Sequence, residues 1–407
     1  MPNYYTPGVY VEETASGTRP IQAVGTSTAA FIGVAPDQEG KPFEEYPINN
    51  WSQFRTAFAS KGGAATNLAH AVFGFYQNGG GRCYVINTGK DGAIGKALEL
   101  LERVEEVKIV AAPGFTDAAS YEALLSHCEK MKDRVAILDG PATVKNVNLL
   151  TKVATLSASA RSPRRAAAEA AVAPDPAGDS MGLRARKSDS GYGALYFPWI
   201  TARNQFSPQN ETVDVPPSGH LAGIWARTDA TRGVHKAPAN EPIRGALDVT
   251  YPVTEEEQGV LNPAGVNCIR FFAYEGIRVW GARTLADASS EWRYLNVRRL
   301  FNMIEESIAR STRWVVFEPN DISLWKSIRR DVTAFLTLLW RQGALMGKTP
   351  EQAFFVQCDE ETNPPEVVDD GRVVTVIGVA PVKPAEFVVF KIGQGAGGAK
   401  VEPETTA

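Results

Sequence analysis

Between residue 22 and about residue 156, short apolar segments alternate with segments whose apolar residues recur at helical spacing. Segments such as STAAFIGVA, RCYVINT and RVAILDG are typical of strands that are buried on both faces. The segments between them, such as NLAHAVFGFYQN and YEALLSHCEKM, are typical of amphipathic helices. This alternation favours an α/β fold in which helices cover a mostly parallel sheet.

Two stretches interrupt this pattern. Residues 157–190 are rich in Ala, Arg, Pro, Ser and Asp and contain hardly any large apolar side chain, so we expect a flexible, exposed insertion. The segment GYGALYFPWI then resumes the ordered pattern. In the connector that follows, Pro216, Pro217, Pro238 and Pro242 argue against a long helix.

A second unit begins near Leu261. Its pattern predicts a hairpin (NCIRFFAY and IRVWGART), a long helix (SEWRYLNVRRLFNMIEESIARS), a strand (TRWVVFE), a second long helix (DISLWKSIRRDVTAFLTLLWRQGAL) and two strands (AFFVQCDEET and RVVTVIGVAPV). A chain of 407 residues exceeds the usual size of one domain. We therefore expect a β/α domain over residues 22–260 and a smaller α+β domain over residues 261–383.

The composition excludes several classes of protein. With 44% hydrophobic residues, 22% charged residues and a net charge of −4, the chain resembles an ordinary soluble protein and gives no reason to expect a nucleic-acid partner. The four cysteines are far apart in the sequence and lie in apolar segments, which predicts reduced core residues. No secretory leader and no run of about 20 apolar residues is present, so we expect synthesis in the cytoplasm and no direct membrane insertion.

Three short motifs resemble catalytic or nucleotide-binding signatures. Residues 178–182 match G-x-S-x-G around Ser180, but no strand precedes them. Residues 393–398 match G-x-G-x-x-G without room for a following helix, and residues 343–349 resemble a P-loop that follows a helix instead of a strand. The histidines lack the spacing of metal ligands. We therefore predict no catalytic residue, no cofactor and no metal; an α/β hydrolase that uses Ser180 is the alternative.

Both ends of the chain read as isolated strands. The N-terminal segment YYTPGVYVEE has no hairpin partner nearby, and the C-terminal segment EFVVFKI follows a proline. An extended apolar strand of this kind is an aggregation hazard when it is unpaired. Each end therefore either pairs within its own domain or joins the sheet of another chain by β-augmentation.

Several blocks resemble the contractile tail sheath proteins of myophages, R-type pyocins and extracellular contractile injection systems. They are YTPGVYVEE, VPPSGHLAGIWARTDATRGVHKAPANEPIRG, NPAGVNCIRFFAYEGIRVWGARTL and VIGVAPVKPAEFVVFKI. The resemblance implies a structural subunit that polymerises with itself as stacked hexameric rings around an inner tube. The sheath then contracts to drive the tube through a target envelope. It also implies contacts with the inner tube protein and with baseplate and terminal cap proteins, in a virion tail or a released phage tail-like particle. In a type VI secretion apparatus the sheath is divided between two chains, which disfavours that alternative.

The resemblance implies that residues 1–21 and 384–407 are arms that complete β-sheets in adjacent subunits. Pro7 restricts its neighbour to an extended conformation, and Gly8 allows the chain to bend. A flexible insertion between Lys383 and Pro384 should then slacken the C-terminal tether and block contraction. The predicted intersubunit residues are Pro7, Gly8, Val9, Tyr10, Val11, Phe387, Val388, Val389, Phe390 and Ile392.

The resemblance also implies an outer domain at residues 22–260 and an inner, tube-facing domain at residues 261–383. In the second long helix, residues 324, 328, 332, 335 and 339 are apolar at helical spacing and should face the core. This leaves Lys326, Arg329 and Arg330 near the opposite face as candidate tube contacts, with Arg298 and Arg299 as second candidates. A solvated helix face is the alternative.

Overall fold

The computed structural model describes residues 20–155, 182–207, 209 and 211–388. Within these residues, nine strands form one sheet in the order β2-β3-β1-β4-β5-β6-β11-β12-β9. The strands of the described residues are β1 Ala29–Gly33, β2 Tyr46–Ile48, β3 Cys83–Asn87, β4 Ile109–Ala111, β5 Val135–Asp139, β6 Gly193–Phe197, β7 Ile200–Arg203, β8 Thr212–Val215, β9 Glu241–Pro242, β10 Ala246–Val249, β11 Val266–Phe272, β12 Gly276–Trp280, β13 Phe354–Gln357 and β14 Val376–Val379.

Helices cover both faces of this sheet. Their bounds are α1 Trp51–Phe58, α2 Asn67–Gln77, α3 Ile94–Leu101, α4 Ala118–Met131, α5 Ser218–Arg232, α6 Glu255–Leu261, α7 Leu295–Ser311, α8 Ile322–Arg341, α9 Pro350–Ala353 and α10 Pro365–Asp369. One apolar core lies under α2 and α5, and a second lies under α3 and α4. Strands β3, β1, β4, β5, β6 and β11 are mutually parallel, and β1, β3, β5 and β6 are buried along their whole length. The predicted mostly parallel sheet is confirmed.

The expectation of no long helix in the proline-rich connector is wrong, because α5 has 15 residues. Pro216 and Pro217 stand immediately before its first turn, where a backbone N–H needs no partner within the helix. The carboxylate of Asp139, at the end of β5, accepts hydrogen bonds from the Ser218 backbone N–H (2.8 Å) and hydroxyl (2.7 Å). A Cβ on Gly219 would lie 2.2 Å from the Ala71 carbonyl oxygen, so this glycine allows close packing on α2.

Part of the expected flexible insertion is packed against the sheet domain. Residues 182–190 are described, and Arg186 forms ion pairs with Glu122 (2.8 Å) and Glu129 (2.9 Å) of α4. Ser188 is fully buried and donates its hydroxyl hydrogen to Glu129. The boundary at residue 190 is therefore wrong, and residues 156–181 lie outside the described residues.

Two expectations for the second unit are also wrong. The β11–β12 hairpin belongs to the large sheet, where Val266 of β11 lies opposite Leu195 of β6. A domain boundary near residue 261 would separate this hairpin from the sheet to which it belongs. The TRWVVFE segment forms a short 3-10 helix, Arg313–Val315, instead of a strand. Val316 and Phe317 are exposed, and none of the described strands pairs with them. Their strand propensity alone is therefore insufficient to form a strand.

Helices α7 and α8 form a helical unit with their own core, which also includes β13 and β14. A buried ion pair joins this unit to the sheet. Arg299 of α7 contacts Asp229 of α5 at 2.5 Å, and both side chains are at most 6% exposed. The guanidinium group also lies 4.8 Å from the centre of the Trp225 ring and donates to the Thr26 carbonyl oxygen. The Thr26 hydroxyl donates to Asp229, so three parts of the chain meet at this ion pair.

We predict that Arg299→Met lowers the free energy of unfolding by about 3–5 kcal/mol, because it leaves the Asp229 carboxylate buried without its partner. Lys187→Met is the control. Lys187 pairs with Asp287, but both side chains are about half exposed, so we expect a loss below about 1 kcal/mol. Denaturant unfolding of both variants measures the difference, and equal losses would contradict the role of the Arg299 pair.

Acid should weaken the fold through its buried histidines. Burial, with a smaller effect of Arg134, lowers the pKa of His127 to about 4; burial, with a smaller effect of His70, lowers that of His220 to about 4. The unfolded chain binds these protons near the ordinary pKa of 6.5, so stability is complete above that value and falls as the pH drops from 6.5 to 4.

We predict that His220→Gln makes the free energy of unfolding less dependent on pH between 6.5 and 4, by as much as about 3 kcal/mol over the window. His235 is only half-buried, so His235→Gln should change the pH dependence less. Denaturant unfolding at a series of pH values measures the slope, and an unchanged slope in the His220 variant would contradict this assignment.

Candidate assembly interface

The first described residues lie along α7. Ile21 is buried in the core of the helical unit. The backbone N–H of Gln22 donates to the Ser311 hydroxyl (3.3 Å), and that of Val24 donates to the Ser307 hydroxyl (3.0 Å). These contacts fix the chain on α7 directly after the segment predicted to be the N-terminal arm.

The last described residues cross from the helical unit to the large sheet. The backbone N–H of Val382 donates to the Ala344 carbonyl oxygen, and Asn296 of α7 donates to the Val382 carbonyl oxygen (3.1 Å). Four residues later the Glu386 carboxylate binds Arg283, which follows β12. The next two side chains, Phe387 and Val388, are exposed.

The predicted arm residues divide into two groups. Phe387 and Val388 are described and are 76% and 69% exposed, in a segment outside any strand. Ser180 and the motif at 393–398 lie outside the described residues. The same holds for the other predicted arm residues, which are Pro7, Gly8, Val9, Tyr10, Val11, Val389, Phe390 and Ile392. Their contacts with neighbouring subunits stay predictions.

Strands β13 and β14 form an antiparallel pair on the helical unit, with Phe354 opposite Val379. Phe354 faces the core, whereas Phe355 and Val376 are 55% and 42% exposed. In the part of the chain that the structure describes, each strand of this pair has one neighbouring strand. The outer edges can therefore accept an extended chain by backbone hydrogen bonding.

Helix α8 presents the predicted charged residues to solvent. Leu324, Ile328, Val332, Phe335 and Leu339 are buried, so the predicted apolar face is confirmed. Lys326, Arg329 and Arg330 are exposed, and Arg330 bonds the Asp331 carboxylate at 2.9 Å.

A groove of about 470 Å³ runs beside this exposed face of α8. Lys326 and Arg329 line one side of it. The acidic residues Asp359, Glu360 and Glu361 line the other side, so the surface carries both charges. Any partner that docks on Lys326 and Arg329 therefore also meets this acidic loop.

The second candidates, Arg298 and Arg299, are buried, with 3% and 4% exposure. Arg298 lies 4.1 Å from the centre of the Trp292 ring and donates to Asn302. Arg299 is held by Asp229, as described above. Because both guanidinium groups are used inside the chain, neither contributes to an exposed basic surface. The prediction that they form part of a tube-facing basic surface is therefore wrong, because this side of α7 packs inside the chain.

The cysteine and metal-ligating side chains of the described residues are dispersed through the fold. No group of three metal-ligating side chains is close enough there to hold a metal ion. The four cysteines are buried and unpaired, as predicted, and burial raises the pKa of the Cys83 thiol to about 12. Among the helices of the described residues, none is long and apolar enough to span a bilayer.

Comparisons with known proteins agree with this geometry. Residues 92–285 match the family model of the phage tail sheath protein central domain, and residues 287–394 match that of the phage tail sheath C-terminal domain. A subunit of the PVC sheath complex in its contracted state, from an extracellular contractile injection system, is 30% identical to the chain. The match covers 97% of this chain and 99% of that one, with a TM-score of 0.74.

The chain belongs to the tail sheath family. The helical sheath of the anti-feeding prophage in its contracted state gives a similar match, with 29% identity, a TM-score of 0.73 and coverage of 97% of this chain and 100% of that chain. The two sheath family segments meet near residue 286, after the β11–β12 hairpin. This division agrees with the sheet topology better than one at residue 261.

Some of the phage relatives are longer proteins. The tail sheath protein of Vibrio phage KVP40 is 30% identical over 179 residues, which are 43% of this chain and 26% of that protein. The chain therefore spans about a quarter of the length of this relative. The regions that the longer sheath proteins add have no counterpart in the alignment.

Proposed function

We propose that the chain is the structural subunit of a contractile sheath. It polymerises as stacked hexameric rings around an inner tube and contracts to drive the tube through a target envelope. The observation that carries this proposal is the match, over nearly the whole of both chains, to a sheath subunit described in its contracted state. The free energy for contraction is stored during assembly, so the subunit needs no nucleotide, cofactor or catalytic residue.

The chain ends support a lattice held by exchanged strands. In this proposal, residues 1–19 and 387–393 of neighbouring subunits pair with the open edges of β13 and β14. Each backbone hydrogen bond contributes a net of about 0.5–1.5 kcal/mol, while ordering each residue costs about 1–2 kcal/mol. Burial of apolar side chains such as Val388, Phe390 and Ile392 therefore supplies most of the affinity.

The domain roles follow from the same arrangement. We assign the outer domain to the large sheet and its helices, and the inner, tube-facing domain to the helical unit of α7, α8, β13 and β14. The hairpin at Val266–Trp280 goes with the outer domain, because it is part of that sheet. The proposed partners are further copies of the chain, the inner tube protein, and baseplate and cap proteins in a phage tail or a released tail-like particle.

The two alternatives make different predictions for purified material. A hydrolase that uses Ser180 would yield discrete particles with esterase activity. A type VI sheath would need a second, different chain to form tubes. We expect the chain, as the single sheath protein co-expressed with its tube and baseplate proteins, to give helical sheaths in electron micrographs. Discrete particles in place of tubes would overturn the proposal.

We predict that deletion of residues 2–12, or Phe390→Asp, yields a folded monomer that forms no sheath. We expect the three cores to close without either segment, so the melting temperature should stay close to that of the wild type. Loss of the exchanged strands would remove a contact that repeats at every subunit. Thermal melting and electron microscopy measure the two effects, and normal sheaths from the truncated chain would show that the ends pair within their own subunit.

We predict that Lys326→Glu combined with Arg329→Glu yields sheaths without tubes, because repulsion replaces attraction at the proposed tube contact. Lys90→Glu combined with Arg103→Glu is the matched control, since both residues are exposed on the sheet domain. Tube occupancy is counted in electron micrographs. Equal occupancy in the two double variants would show that α8 carries only a solvated charged face.

A further inference from the structure

Glu386 is the last described residue whose side chain is engaged before the exposed segment Phe387–Val388. Its carboxylate accepts two hydrogen bonds from Arg283, from Nε at 2.8 Å and from Nη2 at 2.6 Å. Asn262 Nδ2 and the Tyr294 hydroxyl lie 3.3 Å from the same carboxylate. The Arg283 and Glu386 side chains are 11% and 20% exposed. This paired geometry is the strongest form of a protein ion pair.

Arg283 is held rigidly by the large sheet. Its backbone N–H donates to Asn267 Oδ1 (2.7 Å), and its carbonyl oxygen accepts from Asn267 Nδ2 (2.8 Å). Asn267 lies within β11, is fully buried and also donates to the Leu195 carbonyl oxygen of β6. A force on the guanidinium group therefore reaches two central strands directly.

The residues before Glu386 belong to the other unit. Ala380 and Val382 bond Ala353 and Ala344, which lie in the core of the helical unit. Lys383 and Ala385, in the short stretch between the two attachments, are exposed. The C-terminal segment is thus attached twice, first to the helical unit and then, at Glu386, to the sheet.

We propose that the Arg283–Glu386 ion pair is the anchor through which a pull on the C-terminal arm is transmitted to the large sheet. This inference rests on the proposed function. Without the anchor, tension in the arm would enter the chain at the helical unit, through Val382, and reach the sheet only through the contacts between the two units. With it, tension reaches the outer domain directly, because Glu386 is the last attachment before Phe387 among the described residues.

The ion pair is suited to this load. Burial acts to raise the pKa of Glu386, but the hydrogen bonds and charge of Arg283 outweigh it and hold the pKa below its ordinary value. The carboxylate is therefore ionised at neutral pH, and breaking the pair would leave two buried charges unpaired.

The anchor also changes the expected effect of a longer linker. An insertion between Lys383 and Pro384 lies on the inner side of Glu386 and adds slack only between the two attachments. An insertion between Glu386 and Phe387 adds slack to the arm itself. We therefore expect an insertion after Glu386, and not one between Lys383 and Pro384, to slacken the arm.

The test compares Glu386→Gln with Glu366→Gln, an exposed acid of α10 outside the groove beside α8, in full-length chains co-expressed with tube and baseplate proteins. Sheaths are counted as extended or contracted in electron micrographs before and after mild denaturant. We expect Glu386→Gln sheaths to assemble, and their contracted fraction to fall about tenfold, as for loss of one hydrogen bond to a charged group. Glu366→Gln should behave as the wild type.

Two further measurements separate anchoring from folding. In the double variant Glu386→Arg with Arg283→Glu the two charges are exchanged. This variant should contract like the wild type if the ion pair itself carries the load. Two glycines inserted after Glu386 should block contraction, whereas the same insertion after Lys383 should not. Wild-type contraction in Glu386→Gln sheaths, or the reverse order of the two insertions, would overturn the anchor. Absence of sheaths from the wild-type chain would instead overturn the proposed function.

Discussion

The buried ion pair of Arg299 and Asp229 holds the two units of the chain in one arrangement. A buried charge is stable only when its partner and its remaining hydrogen bonds are present. Here the Trp225 ring and Thr26 complete the surroundings of the guanidinium group. Lys108, next to β4, adds a second link to Glu306 of α7 at 2.7 Å. These contacts together fix how the helical unit lies against the sheet.

The large sheet and the β13–β14 pair differ in which strand edges are already paired. Central strands of the large sheet are buried on both faces and have neighbours on both sides, so they offer no site for another chain. The β13–β14 pair differs, because helices cover one of its faces and its outer edges have no strand partner among the described residues. The described residues begin and end near this helical unit, with Val24 bonded to α7 and Val382 bonded to Asn296 of α7, before Glu386 reaches the large sheet. Open strand edges and the segments that lead to both proposed arms thus lie close together, as the proposed exchange of strands requires.

Three expectations from the sequence were wrong for physical reasons that involve distant residues. Prolines before Ser218 suggested a break, but Asp139 from a strand far away in the chain stabilises the first turn of α5. The apolar TRWVVFE segment suggested a strand, but none of the described strands pairs with it. The β11–β12 hairpin looked like the start of a new domain, although β11 completes the parallel sheet beside β6. Local propensity is a weak guide wherever a partner from elsewhere decides the outcome.

The sequence by itself determined the buried strands, the amphipathic helices and the apolar face of α8, because side-chain periodicity is a local property of the chain. It also determined the family, through blocks of residues in a specific order. The tertiary structure alone decided that Arg298 and Arg299 are buried, since the side of α7 that meets the sheet depends on the packing of both units. It alone brought Arg283 to Glu386. Residues 103 positions apart share no periodic pattern, and only the folded sheet and the returning C-terminal segment place their charges together.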